Sequence, residues 1–170
     1  MLRLSIRLVK IALITAIYAA VTTLLMPISY GLIQVRVSDV LMPLPYVRFF
    51  GIEAVIGLTL GTLIANLISP FGIPDVILGS LANLISGLGS YFIGRYLGGR
   101  VIGRALACLI PVAVISFIIG YVLLGIIYNE FIGVEPLVAM GFVAIGETIS
   151  AGIGGFLLIT YLEKALGTRR

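Results

Sequence analysis

Histidine is absent from the 170 residues, and Cys108 is the sole cysteine. Metal sites of the Cys/His kind are thereby excluded, as are an internal disulfide and Ser-His-Asp or Cys-His catalysis. Lysine occurs only at Lys10 and Lys164, and neither follows a glycine-rich loop. The G-x-x-x-x-G-K-[ST] phosphate loop is therefore missing, and with it any built-in nucleotide engine. Charge of either sign is scarce: 11% of residues carry it, against about 25% in a soluble domain. The net charge of +4 does not point to nucleic acid, because the basic residues flank apolar spans.

What the chain has instead is apolar length. It is 61% hydrophobic, and runs near 20 residues recur throughout, about what one helix needs to cross hydrocarbon. These runs predict an all-α integral membrane protein, a single domain over 1–170. Six spans are expected, at 8–26, 37–49, 52–69, 74–96, 105–128 and 136–166. The basic start and apolar run at the N-terminus read as the first helix, since no small-residue cleavage site follows. The second span is short, and Pro43 and Pro45 interrupt it. Proline removes a backbone donor and strains a helix. Irregular backbone at membrane depth survives only where protein covers it or it lines a cavity, so this segment is expected inside the bundle or beside a pocket.

Charge placement orients the spans. With the N-terminus inside, Arg3, Arg7, Lys10, Arg48, Arg95, Arg100, Arg104, Lys164, Arg169 and Arg170 are all cytoplasmic, and only Arg36 is outside. That satisfies the positive-inside rule with both termini cytoplasmic. Omitting the second span would move Arg95, Arg100 and Arg104 outside. The exterior segments carry Asp39, Asp75, Glu130 and Glu135.

Ionisable groups within a bilayer cost roughly 2.5–3.5 kcal/mol on insertion scales and mark functional sites. Glu147 lies mid-span in VAIGETISAGIGG, on one helical face with Gly146, Ser150, Ala151 and Gly154. Asn66 lies in the third span, and Asn83 in the fourth among Gly79, Ser80, Ser86, Gly87 and Ser90. Structural readings stand beside the functional ones. Small residues such as Gly57-x-x-x-Gly61 let helices approach closely, and Asn66 and Asn83 can hydrogen-bond between helices. Asp75 suits a helix N-terminus. Arg36 and Asp39 can pair as i,i+3. Glu147 is harder to explain structurally, because spans three to six hold basic residues only at their inner ends.

A carboxylate beside amides in an apolar pocket suits a small, flat, polar ligand. A guanine-like edge offers adjacent N–H donors that a carboxylate accepts in bidentate fashion. Arg36 or Gln34 would meet a carbonyl of the same ligand. Tyr30, Tyr46, Phe71 and Tyr128 are stacking candidates near the outer mouth and equally plausible interfacial anchors. The chain is small for a self-contained alternating-access carrier, and it has no visible internal repeat. It reads as a substrate-binding subunit of a larger complex. Ala12, Ala16 and Ala20 recur at four-residue spacing in the first span and form a flat strip against which a helix can dock.

Several motifs carry a resemblance. They are Ala16 to Tyr18; PISYGLIQVRVSD from Pro27 to Asp39; GLTLGTLIANLISPFGIPD from Gly57 to Asp75; and Gly146-Glu147. On these, over nearly its whole length, the chain resembles the QueT family of queuosine-precursor transporters, substrate-binding S components of energy-coupling factor transporters. The resemblance implies a multi-pass plasma-membrane subunit that is not itself an enzyme and has no cofactor. It implies capture of a 7-deazaguanine (preQ1, preQ0 or queuine) from outside. Gln34, Arg36, Asp39, Asn66, Asn83 and Glu147 are the residues expected to form the pocket, with Asp39 standing where the family usually has glutamate and Asn83 where it usually has a smaller hydroxyl residue. The resemblance also implies docking, through the alanine strip, on a transmembrane coupling subunit driven by two cytoplasmic ATPases. Alternatives are an S component for another vitamin or purine-like solute, a solitary proton-coupled carrier using Glu147, an intramembrane enzyme, and a purely structural subunit.

Overall fold

The computed structural model describes residues 2–30 and 34–167. Arg169 and Arg170, assigned above to the cytoplasm, lie outside the described residues, as does the side chain of Arg3. Helix α1 spans Leu2–Leu24 and is followed by the short α2, Met26–Ser29. Two 3-10 turns, Val37–Leu41 and Leu44–Tyr46, lead to α3, Gly51–Asn66, and α4, Gly72–Leu97. Helix α5, Val101–Ile115, runs on as a π-helix over Ser116–Ile127, and α6 is Asn129–Ile132. Helix α7, Pro136–Glu147, continues through a π-helical stretch, Thr148–Gly154, into α8, Gly155–Ala165. No strand occurs among the described residues.

Among the described residues, four helical stretches are long and apolar enough to cross a membrane: Leu4–Leu24, Gly72–Leu97, Val101–Ile127 and Pro136–Ala165. Helix α3 is equally apolar but has 16 residues, roughly 24 Å at 1.5 Å per residue, against a hydrocarbon core of about 30 Å. Element ends follow local chemistry. Pro136 opens α7, where its missing N–H costs nothing, and the Glu135 side chain accepts from Val138 N at 3.3 Å. Gly133, at φ +65°, ends α6 in the left-handed region, which glycine enters without steric cost.

The segment around Pro43 and Pro45 departs from the expected short helix. Its backbone bonds run i to i+3: Asp39 N to Arg36 O at 2.9 Å, Met42 N to Asp39 O at 2.9 Å, Tyr46 N to Pro43 O at 3.0 Å. The prolines lack the donors that a longer helical ladder needs, so the chain folds as tight turns. Protein covers them: Met42 through Val47 are buried. A Cβ on Gly155 would stand 2.5 Å from Pro43 Cγ, so α8 meets these turns at its first glycine.

Helix α1 packs on α3 through the glycine pair. A Cβ on Gly57 would lie 2.9 Å from Ile14 Cβ, and one on Gly61 would lie 2.9 Å from Tyr18 Cβ. Close approach is thus the role of these glycines. The core around them includes Ile14, Tyr18, Met42, Leu58, Leu123 and Val143. At the end of the bundle where α1 begins, Arg7 pairs with Glu53 at 2.5 Å. At the same end Arg104 pairs with Glu163 at 3.0 Å, both side chains buried.

Candidate ligand-binding site

The polar interior starts on α1. Ile14, Tyr18 and Thr22 recur at four-residue spacing, so one face of the helix points inward, and all three are buried. The Tyr18 hydroxyl donates to Asp39 Oδ1. It accepts in turn from Asn83 Nδ2 at 2.9 Å, and the same amide donates to Thr62 Oγ1. Thr22 Oγ1 donates to Tyr18 O at 2.8 Å and lies 2.6 Å from Ser38 Oγ. A hydroxyl has one proton, so Ser38 is the donor in the second bond. Tyr18 thus joins α1, the first 3-10 turn, α3 and α4.

A second group of bonds gathers around Asn66. Its Nδ2 donates to Asp75 O at 2.9 Å, and the Tyr30 hydroxyl shares its proton between Asn66 Oδ1 at 3.1 Å and Ala65 O at 3.0 Å. Ser69 Oγ donates to Asp75 Oδ2 at 2.5 Å. Gly79 makes this possible: its missing Cβ is where the Asn66 amide lies. Asp75 stands in the first turn of α4, where a negative charge meets the helix dipole. It is nonetheless buried, rather than in an exterior loop. Arg36 is also buried, its guanidinium 5.2 Å from the Tyr30 ring centroid. The i,i+3 ion pair of Arg36 with Asp39 does not form within 4.0 Å. Asp39 turns to Tyr18 and Arg36 turns to Tyr30.

Glu147 closes the arrangement. It is the last residue of α7, where the backbone widens into the π-helical stretch, and Gly146, Ser150 and Ala151 are buried beside it. Thr148 and Ser150 donate back to Ala144 O and Gly146 O at 2.7 and 2.9 Å. Such back-bonding competes with the α-helical ladder. Asp39, read above as exterior, is fully enclosed. The buried Gln34 brings its backbone to α7: a Cβ on Gly146 would run into the Gln34 carbonyl oxygen.

The outcome is an imbalance of donors and acceptors. Asp39 Oδ2, Asp75 Oδ1 and Glu147 Oε2 are buried without a hydrogen-bond partner among the described residues. Buried polar atoms in folded proteins are nearly always partnered, so three orphaned carboxyl oxygens call for donors. One guanidinium, Arg36, is the strong donor nearby. Two cavities, of about 540 and 560 Å³, lie away from these groups. One is at the basic end, and the other is an apolar groove between α1 and α8. The candidate site is drawn around these unpartnered acceptors, because neither cavity presents such atoms.

The structure thus links Asp39 and Asn83 through Tyr18, and Arg36 and Asn66 through Tyr30, with Glu147 buried on α7. Of the stacking candidates, Tyr30 is at the site. Phe71 and Tyr128 form an edge pair at 5.3 Å. Tyr46 is at the opposite end, donating to Leu97 O and Arg100 O at 3.3 and 3.2 Å. Sequence reasoning missed Tyr18, Thr22, Ser38, Thr62 and Ser69, and read Asp75 as a dipole charge. The available signal was Tyr18-x-x-x-Thr22, a polar line on the face of α1 opposite the alanines. Ala12, Ala16 and Ala20 are exposed.

The pattern of the QueT transporter family matches residues 8–164. The chain is 32% identical over 159 residues to the queuosine precursor transporter QueT of Lactococcus lactis subsp. cremoris (strain MG1363), covering 88% of each protein. No solved structure matches it. A membrane-spanning helical bundle with a match over nearly its whole length leaves one conclusion: the chain belongs to the QueT transporter family.

Proposed function

We propose that this protein is the substrate-binding subunit of an energy-coupling factor transporter and captures a queuosine precursor, a 7-deazaguanine such as preQ1, preQ0 or queuine. The supporting observation is the set of unpartnered carboxyl oxygens on Asp39, Asp75 and Glu147 beside the Arg36 guanidinium. A deazaguanine presents a ring N–H, an exocyclic amine and a pyrrole N–H, and it carries one carbonyl. Glu147 and Asp39 would accept the N–H groups, and Arg36 would donate to the carbonyl. Tyr18, Asn83 and Asn66 hold these groups in place, and Gln34 seats the Arg36 segment. The related protein from Lactococcus lactis is named for the same class of cargo.

In this reading the chain crosses the plasma membrane six times with both termini cytoplasmic, the turns at 36–50 counting as the second crossing. Ala12, Ala16 and Ala20 dock on a transmembrane coupling subunit that two cytoplasmic ATPases drive. Their exposure on α1 supports this, since small residues allow close helix approach. The buried Glu147 carboxyl on α7 also favours a second reading, a solitary proton-coupled carrier.

Calorimetric titration of the detergent-solubilised protein with preQ1, preQ0 and queuine, against guanine and riboflavin, tests the cargo. Selective binding of a deazaguanine is expected. Folded protein that binds none of them would remove the cargo assignment and direct the search to other vitamins and purines. Uptake in cells without any coupling ATPase would favour the solitary carrier.

A further inference from the structure

The cavity of about 540 Å³ at the basic end is lined by Arg7, Arg48, Arg95, Glu53, Tyr91 and Gly94, among others. It sits where α1 and α3 begin and α4 ends. The carboxylates of this end are already paired. Glu53 pairs with Arg7 at 2.5 Å, and Glu163 pairs with Arg104 at 3.0 Å. Arg48 and Arg95 are left facing one cavity, and neither forms an ion pair among the described residues. Arg95 lies 6.0 Å from the Tyr91 ring centroid, a placement that steadies a guanidinium without neutralising it. The walls are firm. A Cβ on Gly94 would meet the Tyr46 backbone, and the Tyr46 hydroxyl is anchored on Leu97 O and Arg100 O.

Three guanidinium groups and one carboxylate around a single polar cavity leave it two positive charges in excess. Two of those guanidiniums are free to present paired N–H donors, the geometry that matches a phosphate. We infer that this cavity is a phosphate-binding site, separate from the ligand site around Glu147, with Arg48 and Arg95 as its clamp and Arg7 at its rim. The phosphate has two chemical sources, the headgroup of an anionic phospholipid and a soluble phosphate compound. Phe92 and Tyr96, next to the cavity on α4, are exposed apolar surface at 51% and 81%, along which acyl chains can lie.

The test uses the full-length protein in detergent, with native mass spectrometry and thermal unfolding as readouts. Three probes are added separately: phosphatidylglycerol, phosphatidylcholine and inorganic phosphate. Wild-type protein should retain phosphatidylglycerol and unfold at a higher temperature with it, while phosphatidylcholine does neither. The Arg48→Ala/Arg95→Ala double variant should weaken retention by about tenfold or more, the loss expected for charge-assisted hydrogen bonds. Arg100→Ala, which removes a charge at the same end but outside the cavity, should leave retention unchanged. Arg48→Lys/Arg95→Lys keeps the charge without the fork and should fall between. If inorganic phosphate protects with the same arginine dependence and the lipid does not, the source is soluble and the site stands. Retention unaltered in the double alanine variant, or equally reduced by Arg100→Ala, overturns the inference. Unchanged helical circular dichroism separates these outcomes from misfolding.

Discussion

Tyr18 donates its hydroxyl to Asp39 across 21 residues of sequence and receives the Asn83 amide across 65. One phenol thereby ties the first helix to the 3-10 turns and to α4. Tyr18→Phe keeps the ring and removes both bonds. Asp39 then loses its protein donor in a buried setting, at a cost of about 1–2 kcal/mol. We expect a lower unfolding temperature and ligand affinity weaker by roughly 5- to 30-fold. Calorimetry and thermal unfolding in detergent check both. Unchanged affinity would show that Asp39 needs no fixing.

Glu147→Gln is nearly isosteric but replaces one acceptor oxygen with a donor. A deazaguanine edge would then face an N–H against its own N–H groups. Affinity should fall by about 10- to 100-fold, the range for a lost charge-assisted hydrogen bond or two. The helical signal should stay as in wild type. Full binding by the variant would take Glu147 out of the site.

Gly146→Ala places a methyl group where the Gln34 carbonyl lies. The 34–36 segment must retreat, and Arg36 moves with it. Binding should weaken at least about tenfold, since small misplacements of positioning groups are costly. Gly141→Ala is the control, because nothing lies within 4 Å of its Cβ position. Equal behaviour of the two variants would remove the seating role of Gly146.

The site offers three carboxyl groups and one guanidinium. That ratio should favour a ligand bearing an aminomethyl cation over its neutral nitrile counterpart. In competition titrations preQ1 should bind about tenfold or more tighter than preQ0. Equal affinities would place the 7-substituent outside the reach of the carboxyls.

Arg104 and Glu163 form a buried pair at the other end, and Glu163 also accepts from Gly99 N at 3.3 Å. Arg104→Met leaves a buried carboxylate without its main partner, a loss of about 3–5 kcal/mol. Adding Glu163→Gln should recover part of it. Ligand affinity of the folded variant should be unaltered, because the pair is remote from Glu147. A shift in affinity would mean that the two ends communicate.

The elements most legible from sequence were those whose signal is local. Apolar runs and flanking arginines located α1, α3, α4, α5 and the α7–α8 pair, and the inward face of Glu147 followed from helical spacing. The turns around Pro43 were harder. Hydropathy sees an apolar segment, whereas the missing proline donors decide its backbone. Tyr18 went unnoticed because its partners are distant in sequence, and Asp75 was rightly placed at a helix start but without its enclosure. A tyrosine in an apolar span looks like packing until Asp39 arrives beside it. An aspartate at a helix start looks solvated until Asn66 and Ser69 enclose it. The π-helical stretches left no pattern that apolar spacing could detect.

Helix α1 has two faces with separate allegiances, Tyr18 and Thr22 inward and Ala12, Ala16 and Ala20 outward. A rigid helix transmits rotation from one face to the other. A neighbour that turned α1 by pressing on the alanines would also turn the Tyr18 hydroxyl relative to Asp39. Linkage makes the effect reciprocal: a neighbour that prefers the filled site must raise the affinity of that site by the same factor. One that prefers the empty site must lower it by the same factor.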